Sequence, residues 1–267
     1  MVPLIWTEPA RNDLESVFGY FNAISTKVAI HYSEEFIKAG DRLKIFPEMG
    51  PLEPPKPLTA MKEQKHSICY MILPEGIRED LDEGLKALSE KHAVSIAVIP
   101  RVNWNDDLTP WPAEGVFKKA KPFGGQASSF LDKLTHEIIP ETEKRLGVVN
   151  AERTLLGVSL SGLFAVWAAF HTDAFTNIIS ISGSLWYDGF VEWMKDNTLS
   201  PQIKKVCMLL GEKEKYAKDK RMATVEERTV AAAHILKSKT NAAVSFELVE
   251  GTHFSPILPR LEKALAK

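Results

Sequence analysis

The stretch that decides the fold is "RTLLGVSLSGLFAVWAAF", Arg153 to Phe170. It starts as a short apolar run, turns around Gly157 to Ser159, and continues as an apolar segment of helical length. A strand that passes straight into a helix holds the residue at the turn's apex in a strained backbone. It tolerates only small neighbours two positions before and after. Gly157 meets the first condition. At the second, Ser161 stands where the pattern G-x-S-x-G has its last glycine, and Gly162 directly behind it still allows close helix–strand packing. Ser159 therefore suits the apex better than Ser161, whose neighbours two positions away are Ser159 and the bulky Leu163. Taken alone, the motif fits equally a serine that merely caps the helix.

Similar apolar, β-branched-rich runs recur along the chain: "KVAIHY", "SICYMIL", "VSIAVIP", "NIISISGS", "KKVCMLLG" and "AVSFELVEG". From Cys69 onward they are separated by helical patterns, including "REDLDEGLKALSEKH", "ASSFLDKLTHEIIPETEKRLG" and "TVEERTVAAAHILKSK". Near-continuous apolar strands alternating with helices are what a parallel sheet covered on both faces requires. The expected architecture is α/β, a three-layer α/β/α sandwich with a mostly parallel central sheet. One domain over residues 1–267 is expected, with residues 1–66 the least clear part. There "KVAIHYSEEF" and "DRLKIFPEM" read as leading antiparallel strands, and "GPLEPPKPL" as a proline-stiffened loop.

Composition narrows the function classes. The 267 residues are 45% hydrophobic and 25% charged, with a formal net charge of -2, as in ordinary globular domains. Nothing in that balance draws the chain to nucleic acid or to an anionic membrane. No apolar run approaches the ~18 residues that span a bilayer, and the N-terminus lacks a basic region followed by an apolar one. Cys69 and Cys207 each lie inside an apolar run, so buried free thiols and a cytoplasmic location are expected. No His, Cys and Asp cluster has metal-ligand spacing, and Gly124-Gly125 lacks the strand and spacing of a dinucleotide fingerprint, so no cofactor is expected.

In open α/β sheets ligands bind outside the carboxyl ends of the strands. That rule selects Glu75/Gly76, Asn103 to Asp107, Ser159, Ser184 to Tyr187, Glu212/Glu214 and His253. Serine nucleophilic catalysis needs an imidazole to accept the hydroxyl proton and a carboxylate to orient that imidazole, here in the chain order serine, acid, histidine. Of seven histidines, His253 alone follows a late strand in a short loop, "SFELVEGTHFSPIL"; His136 and His234 sit within helices and His171 ends one. The acid belongs in "LGEKEKY", where Glu212 and Glu214 both qualify by position. The Leu160 amide, at the start of the helix, is placed to donate to an oxyanion. Trp186 and Tyr187 follow the strand after Ser159 and are candidate pocket residues. Trp104 and Trp111, in the long segment "RVNWNDDLTPWPAEGVFKKAKPFGGQ", are either pocket residues or packing for that loop. The charged segment "GEKEKYAKDKRMATVEER" is a solvated surface, or a basic lip for an anionic substrate.

Together with "GLFAVWAAFHTDAFTNIISISGSLWYD", "NDDLTPWPA", "LGEKE" and "GTHFSPILPRLEKAL", the turn resembles the esterase D and enterochelin-esterase-like branch of the α/β-hydrolases, from about Ser67 to the C-terminus. The resemblance implies a serine carboxylic-ester hydrolase acting on a small-molecule ester through an acyl-enzyme. Ser159 would be nucleophile, His253 general base and Glu214, three residues past the strand-end glycine, the acid. The resemblance also admits a narrower intracellular siderophore esterase opening a catecholate trilactone; acyl transfer is a further option, and the departure at Ser161 leaves open a catalytically silent relative that only binds. Two departures stand out: Ser161 replaces a glycine, and "MILPEGIRED" lacks the Asp-Gly-type turn of such relatives. The second oxyanion donor is then expected from Glu75 or Gly76.

Overall fold

The computed structural model describes residues 67–74, 81–100, 102–117 and 119–267, with scattered positions between 14 and 37. Glu75, Gly76 and the stretches "DRLKIFPEM" and "GPLEPPKPL" lie outside the described residues. The main sheet has six strands: β1 (Ser67–Ile72), β2 (Ser95–Val98), β5 (Glu152–Val158), β6 (Asn177–Ile181), β7 (Lys205–Gly211) and β8 (Ala243–Val249). Their order is β2-β1-β5-β6-β7-β8, and every pairing is parallel. The chain runs outward from β1 to β2, returns to the other side of β1 as β5, and winds on to β8. The reversal falls between β1 and β5, where Ile72 pairs with Gly157 at the last register position. Such a switch point opens a crevice at the carboxyl ends of the two strands.

Two cores enclose the sheet. Ile68, Tyr70 and Ile72 of β1 enter one, while Cys69 and Met71 enter the other. In β7, Val206, Met208 and Leu210 alternate in the same way with Cys207 and Leu209. With a side-chain period of two and apolar material on both faces, such strands read as unbroken apolar runs. Cys69 and Cys207 are free thiols buried in the second core, and desolvation pushes the Cys69 thiol up to about 12.

That second core is covered by α1 (Asp82–His92), through Leu85 and Leu88, and by the closing C-terminal helix, through Leu261 and Ala264. Between them in sequence come the one-turn α2 (Trp104–Asp107), α3 (Ala127–Lys133), α4 (Ile139–Leu146), α5 (Leu160–Ala168), α6 (Phe190–Asp196) and α7 (Val225–Lys239), so the closing helix is α8 (Ile257–Leu265). α3 and α4 are joined by a π-turn at Leu134–Ile138, with the Ile139 N–H reaching the Leu134 carbonyl. Pro140 has no N–H to offer the next bond, and the wider turn makes room for its ring. Every residue of α5 is buried: it packs on β5 and β6, and from α3 Phe130 meets Phe164 at 5.2 Å between ring centroids.

Two segments differ from the sequence expectation. The described positions of "KVAIHYSEEF", among them Lys27, Ala29, Ile30, Ser33 and Glu34, are helical rather than extended. Ala29 is fully buried while Ile30 beside it is 48% exposed. A short apolar run does not by itself distinguish a strand from one face of a helix. The segment after β2 is also less irregular than its composition indicates. Besides α2 it holds a two-stranded antiparallel ribbon, β3 (Pro112–Ala113) with β4 (Phe123–Gly124). The fully buried Thr109 hydroxyl fastens it, donating to the Asn105 carbonyl at 2.7 Å and accepting from the Gly125 N–H at 3.0 Å.

The packing of α5 gives a stability prediction. Phe164→Ala, in a fully buried site, is expected to cost about 3–5 kcal/mol in urea unfolding. Val149→Ala, at 75% exposure, is expected to stay within about 0.5 kcal/mol.

Candidate active site

β5 ends at Val158, and α5 begins one residue after Ser159, so the chain reverses within a single residue. Ser159 has φ 63° and ψ -122°, a conformation that L-residues rarely adopt. Its N–H donates to the Ile181 carbonyl at 3.0 Å, and its carbonyl accepts from Leu163 and Ser184. Gly157 is obligatory, since a Cβ there would lie 2.0 Å from the Ser161 carbonyl oxygen. Leu160 is the first helical residue, so its N–H belongs to the set a helix leaves without an intrahelical acceptor.

The loops after β7 and β8 converge on this turn. Glu212 N–H donates to the Val249 carbonyl at 2.9 Å and Lys213 N–H to the Gly251 carbonyl at 3.0 Å, tying one loop to the other. Their side chains complete a line of contacts. His253 Nε2 stands 3.1 Å from Ser159 Oγ, and His253 Nδ1 stands 2.8 Å from Glu214 Oε2. An ionised carboxylate only accepts, so Nδ1 carries the proton and Nε2 is left to accept from the serine hydroxyl. Glu214 is 5% exposed, whereas the Glu212 side chain is 48% exposed beside Lys213. Of the two candidate acids, the fold brings Glu214 to His253.

The other carboxylate oxygen is held as firmly. Glu214 Oε1 accepts from Ser182 Oγ at 2.6 Å and from the Gly211 N–H at 2.7 Å. Gly211 lets the carboxylate come this close, because a Cβ there would meet Glu214 Oε1 at 2.8 Å. Behind them lies the buried Arg260 of α8. Its Nη1 donates to Ser182 Oγ at 2.9 Å and stands 3.5 Å from Glu214 Oε1, and its Nη2 donates to the Thr252 carbonyl at 2.6 Å. Burial works to raise the Glu214 pKa, but the charge of His253 and hydrogen bonds from His253, Ser182 and Gly211 outweigh it. The carboxyl is held below its ordinary range. Burial lowers Arg260 from its ordinary value, with Glu214 opposing.

Neither Ser182 nor Arg260 was singled out by sequence. Ser182 stands directly after β6, inside "ISGSLW", and has φ 50°. Arg260 had one visible signal: it is a cation beside Leu261 and one turn from Ala264, on the face of α8 that is otherwise apolar and buried.

The aromatic candidates separate by position. Trp186 lines a narrow cleft with Ser182, Glu214, Ala217, Met222, Val225 and His253. Tyr187 is buried behind it, its hydroxyl donating to the Trp111 carbonyl at 2.6 Å, and desolvation pushes its pKa up to about 12. Trp111 packs against Tyr187, Phe190 and Trp193 and donates from Nε1 to the Asp188 carbonyl, so it secures its loop. Trp104 packs against the same core. The charged segment after β7 has cations paired with acids rather than a uniformly basic face: Lys215 with Glu226 of the same segment at 3.1 Å, and Arg221 with Asp188 after β6 at 3.1 Å. Among the described residues no group of His, Cys, Asp and Glu is arranged to hold a metal ion, and no helix is long and apolar enough to cross a membrane.

The parallel sheet with its turn at the switch point is the α/β-hydrolase fold. The chain belongs to the "Putative esterase" family, whose model matches residues 79–247. It is 32% identical over 149 residues to the Bacillus subtilis (strain 168) protein YbbA, a match that covers 55% of this chain and 59% of YbbA. Among solved structures it is similar to the siderophore hydrolase EstB from Aspergillus nidulans, with a TM-score of 0.62 and 18% identity over 79% of this chain and 86% of EstB. An IroE-like serine hydrolase from Shewanella oneidensis gives a TM-score of 0.59 and 22% identity over 75% of this chain and 69% of that one.

Two predictions concern the buried charges. Arg260→Met leaves Glu214 and Ser182 without their cation and is expected to cost about 3–5 kcal/mol in chemical unfolding. The folded-state pKa of Glu214 is depressed. Its contribution to stability is therefore complete above the ordinary carboxylate pKa and is lost as pH falls through the lower, folded value. Thermal midpoints should fall on acidification below about pH 4, less steeply in Glu214→Gln than in the wild type.

Proposed function

We propose that this protein is a serine carboxylic-ester hydrolase that works through an acyl-enzyme. The observation that carries the reading is the continuous line Ser159 Oγ, His253 Nε2, His253 Nδ1, Glu214 Oε2, at 3.1 and 2.8 Å, at the carboxyl ends of β5, β7 and β8. Ser159 Oγ attacks the ester carbonyl carbon while its proton passes to His253 Nε2. The tetrahedral oxyanion is received by the Leu160 N–H and by a second donor from Glu75 or Gly76. His253 then gives its proton to the departing alkoxide, leaving the acyl group on Ser159. A water molecule, deprotonated by His253, attacks that acyl group; collapse of the second tetrahedral intermediate frees the acid and restores the serine hydroxyl. Glu214 holds the imidazole in the tautomer this sequence needs and stabilises the imidazolium that forms.

Esterase family membership supports an ester as substrate; we take it to be a small molecule, with Trp186, which lines the narrow cleft beside His253, as a wall of its site. The buried free thiols Cys69 and Cys207 suit a reducing compartment, and we place the protein in the cytoplasm. A narrower substrate, a catecholate trilactone siderophore, is the second reading; the structural neighbour EstB is by its description a siderophore hydrolase.

A fluorophosphonate probe tests the nucleophile. Labelling is expected in the wild type and its loss in Ser159→Ala, together with a fall in kcat of at least about 10³-fold in Ser159→Ala and His253→Ala. Labelling that persists in Ser159→Ala sinks the assignment. Turnover of aryl and sugar acetates of graded acyl length, set against a catecholate siderophore, separates the general esterase from the narrower one. Any Ser159-dependent turnover excludes a silent binding protein.

A further inference from the structure

Ser161 is fully buried, so it does not meet substrate, yet its hydroxyl is the most densely bonded group at the turn. Its Oγ accepts from the Val158 N–H at 2.7 Å. Its single proton can be donated to either of two carbonyl oxygens or shared between them, that of Ile72 at 2.7 Å and that of Val158 at 2.8 Å. Val158 immediately precedes Ser159. Ile72 is the last residue of β1, and its pairing with Gly157 is the last between β1 and β5. The Ser161 hydroxyl therefore ties the two strands together just where their own pairing ends, on the two sides of the switch-point crevice.

We infer that Ser161 is a positioning residue for the proposed reaction, its hydroxyl setting the Ser159–Leu160 turn against the carboxyl end of β1. The inference rests on Ser159 being the nucleophile. In the G-x-S-x-G pattern this position is a glycine with no side chain to make such a link. Here the link holds two peptide groups in fixed relation: the Gly157–Val158 peptide, which leads into Ser159 and the Leu160 N–H, and the Ile72–Leu73 peptide, from which the chain leaves β1. The Leu160 N–H, the oxyanion donor of the proposed reaction, follows the first of them by two residues. Donors to an oxyanion act through close placement, and loss of one costs about 10²–10³-fold in kcat. Loosening the frame that places them belongs at the lower end of that range or below it. Ground-state binding does not use the oxyanion geometry, so KM is expected to change little on an ester whose acylation step is rate-limiting.

The test compares wild type, Ser161→Ala, Ser161→Gly and Ser159→Ala on one aryl ester, with a trifluoromethyl ketone as the second probe. Ser159 Oγ adds to the ketone carbonyl carbon, its proton passes to His253, and the hemiketal oxyanion occupies the same donors as the ester's. In Ser161→Ala, kcat is expected to fall about tenfold or more with KM within about twofold. The ketone inhibition constant should rise by the same factor as kcat/KM falls. A kcat within twofold of wild type overturns the inference, as does a fall in kcat with the ketone constant unchanged, which a general loss of stability produces. Ser161→Gly carries the residue of the signature itself and supplies the same comparison if the alanine variant does not fold. Fluorophosphonate labelling of Ser159→Ala overturns instead the assignment of the nucleophile, whatever Ser161 does.

Discussion

The backbone at Ser159 is the constraint around which the rest is arranged. A φ of 63° on a residue with a side chain costs on the order of 1–3 kcal/mol and persists only where its surroundings over-determine it. Here they do so from every side. The helix that follows is buried along its whole length, the N–H and carbonyl of Ser159 are both taken up by neighbouring backbone, and Gly157 removes the Cβ that would otherwise strike the first turn. The outcome of this confinement is a hydroxyl held at the carboxyl end of β5 on a backbone fixed from both sides.

Charge is arranged with the same economy. A carboxylate taken out of water is costly unless it is paired and hydrogen-bonded. Glu214 has both, from His253 on one oxygen and from Ser182 and the Gly211 amide on the other. Arg260 extends the network to the Thr252 carbonyl next to His253. The C-terminal helix thereby anchors the acid and the histidine loop at once. Burial of this arginine is consistent with a positional role, since its fixed planar fork serves the serine hydroxyl and a loop carbonyl together.

The residues of the candidate site could be picked out in sequence because they sit on chain reversals that demand particular residues. Glycine before the turn, a serine at its apex and a late histidine after a strand are local requirements, and local requirements leave marks in sequence. Glu214 and Glu212 illustrate the limit. Both follow β7 within a few residues, and only the 3-10 turn at Glu214–Tyr216 and the approach of the β8 loop bring one of them to His253. Trp104 and Trp111 show it too: an aromatic residue in a long loop looks the same in sequence whether it faces a ligand or, as here, packs the loop down. The helical positions within "KVAIHYSEEF" were misread because six apolar-rich residues carry too short a period to separate a strand from a helix.

The amino-acid sequence by itself determined the alternation of strands and helices, the parallel sheet, the turn at Ser159 and the chain order of Ser159, the pair Glu212 and Glu214, and His253. Each follows from periodicity, from steric demands at a turn or from strand order, all of which act between near neighbours in the chain. Tertiary structure alone decided the partnerships across long separations: Arg260 with Ser182, 78 residues apart, and Ser161 with the Ile72 carbonyl, 89 residues apart. A serine hydroxyl and an arginine look alike in sequence whether solvated or buried. What they bond to depends on which strand ends the fold brings within 3 Å of them, and no local pattern encodes that.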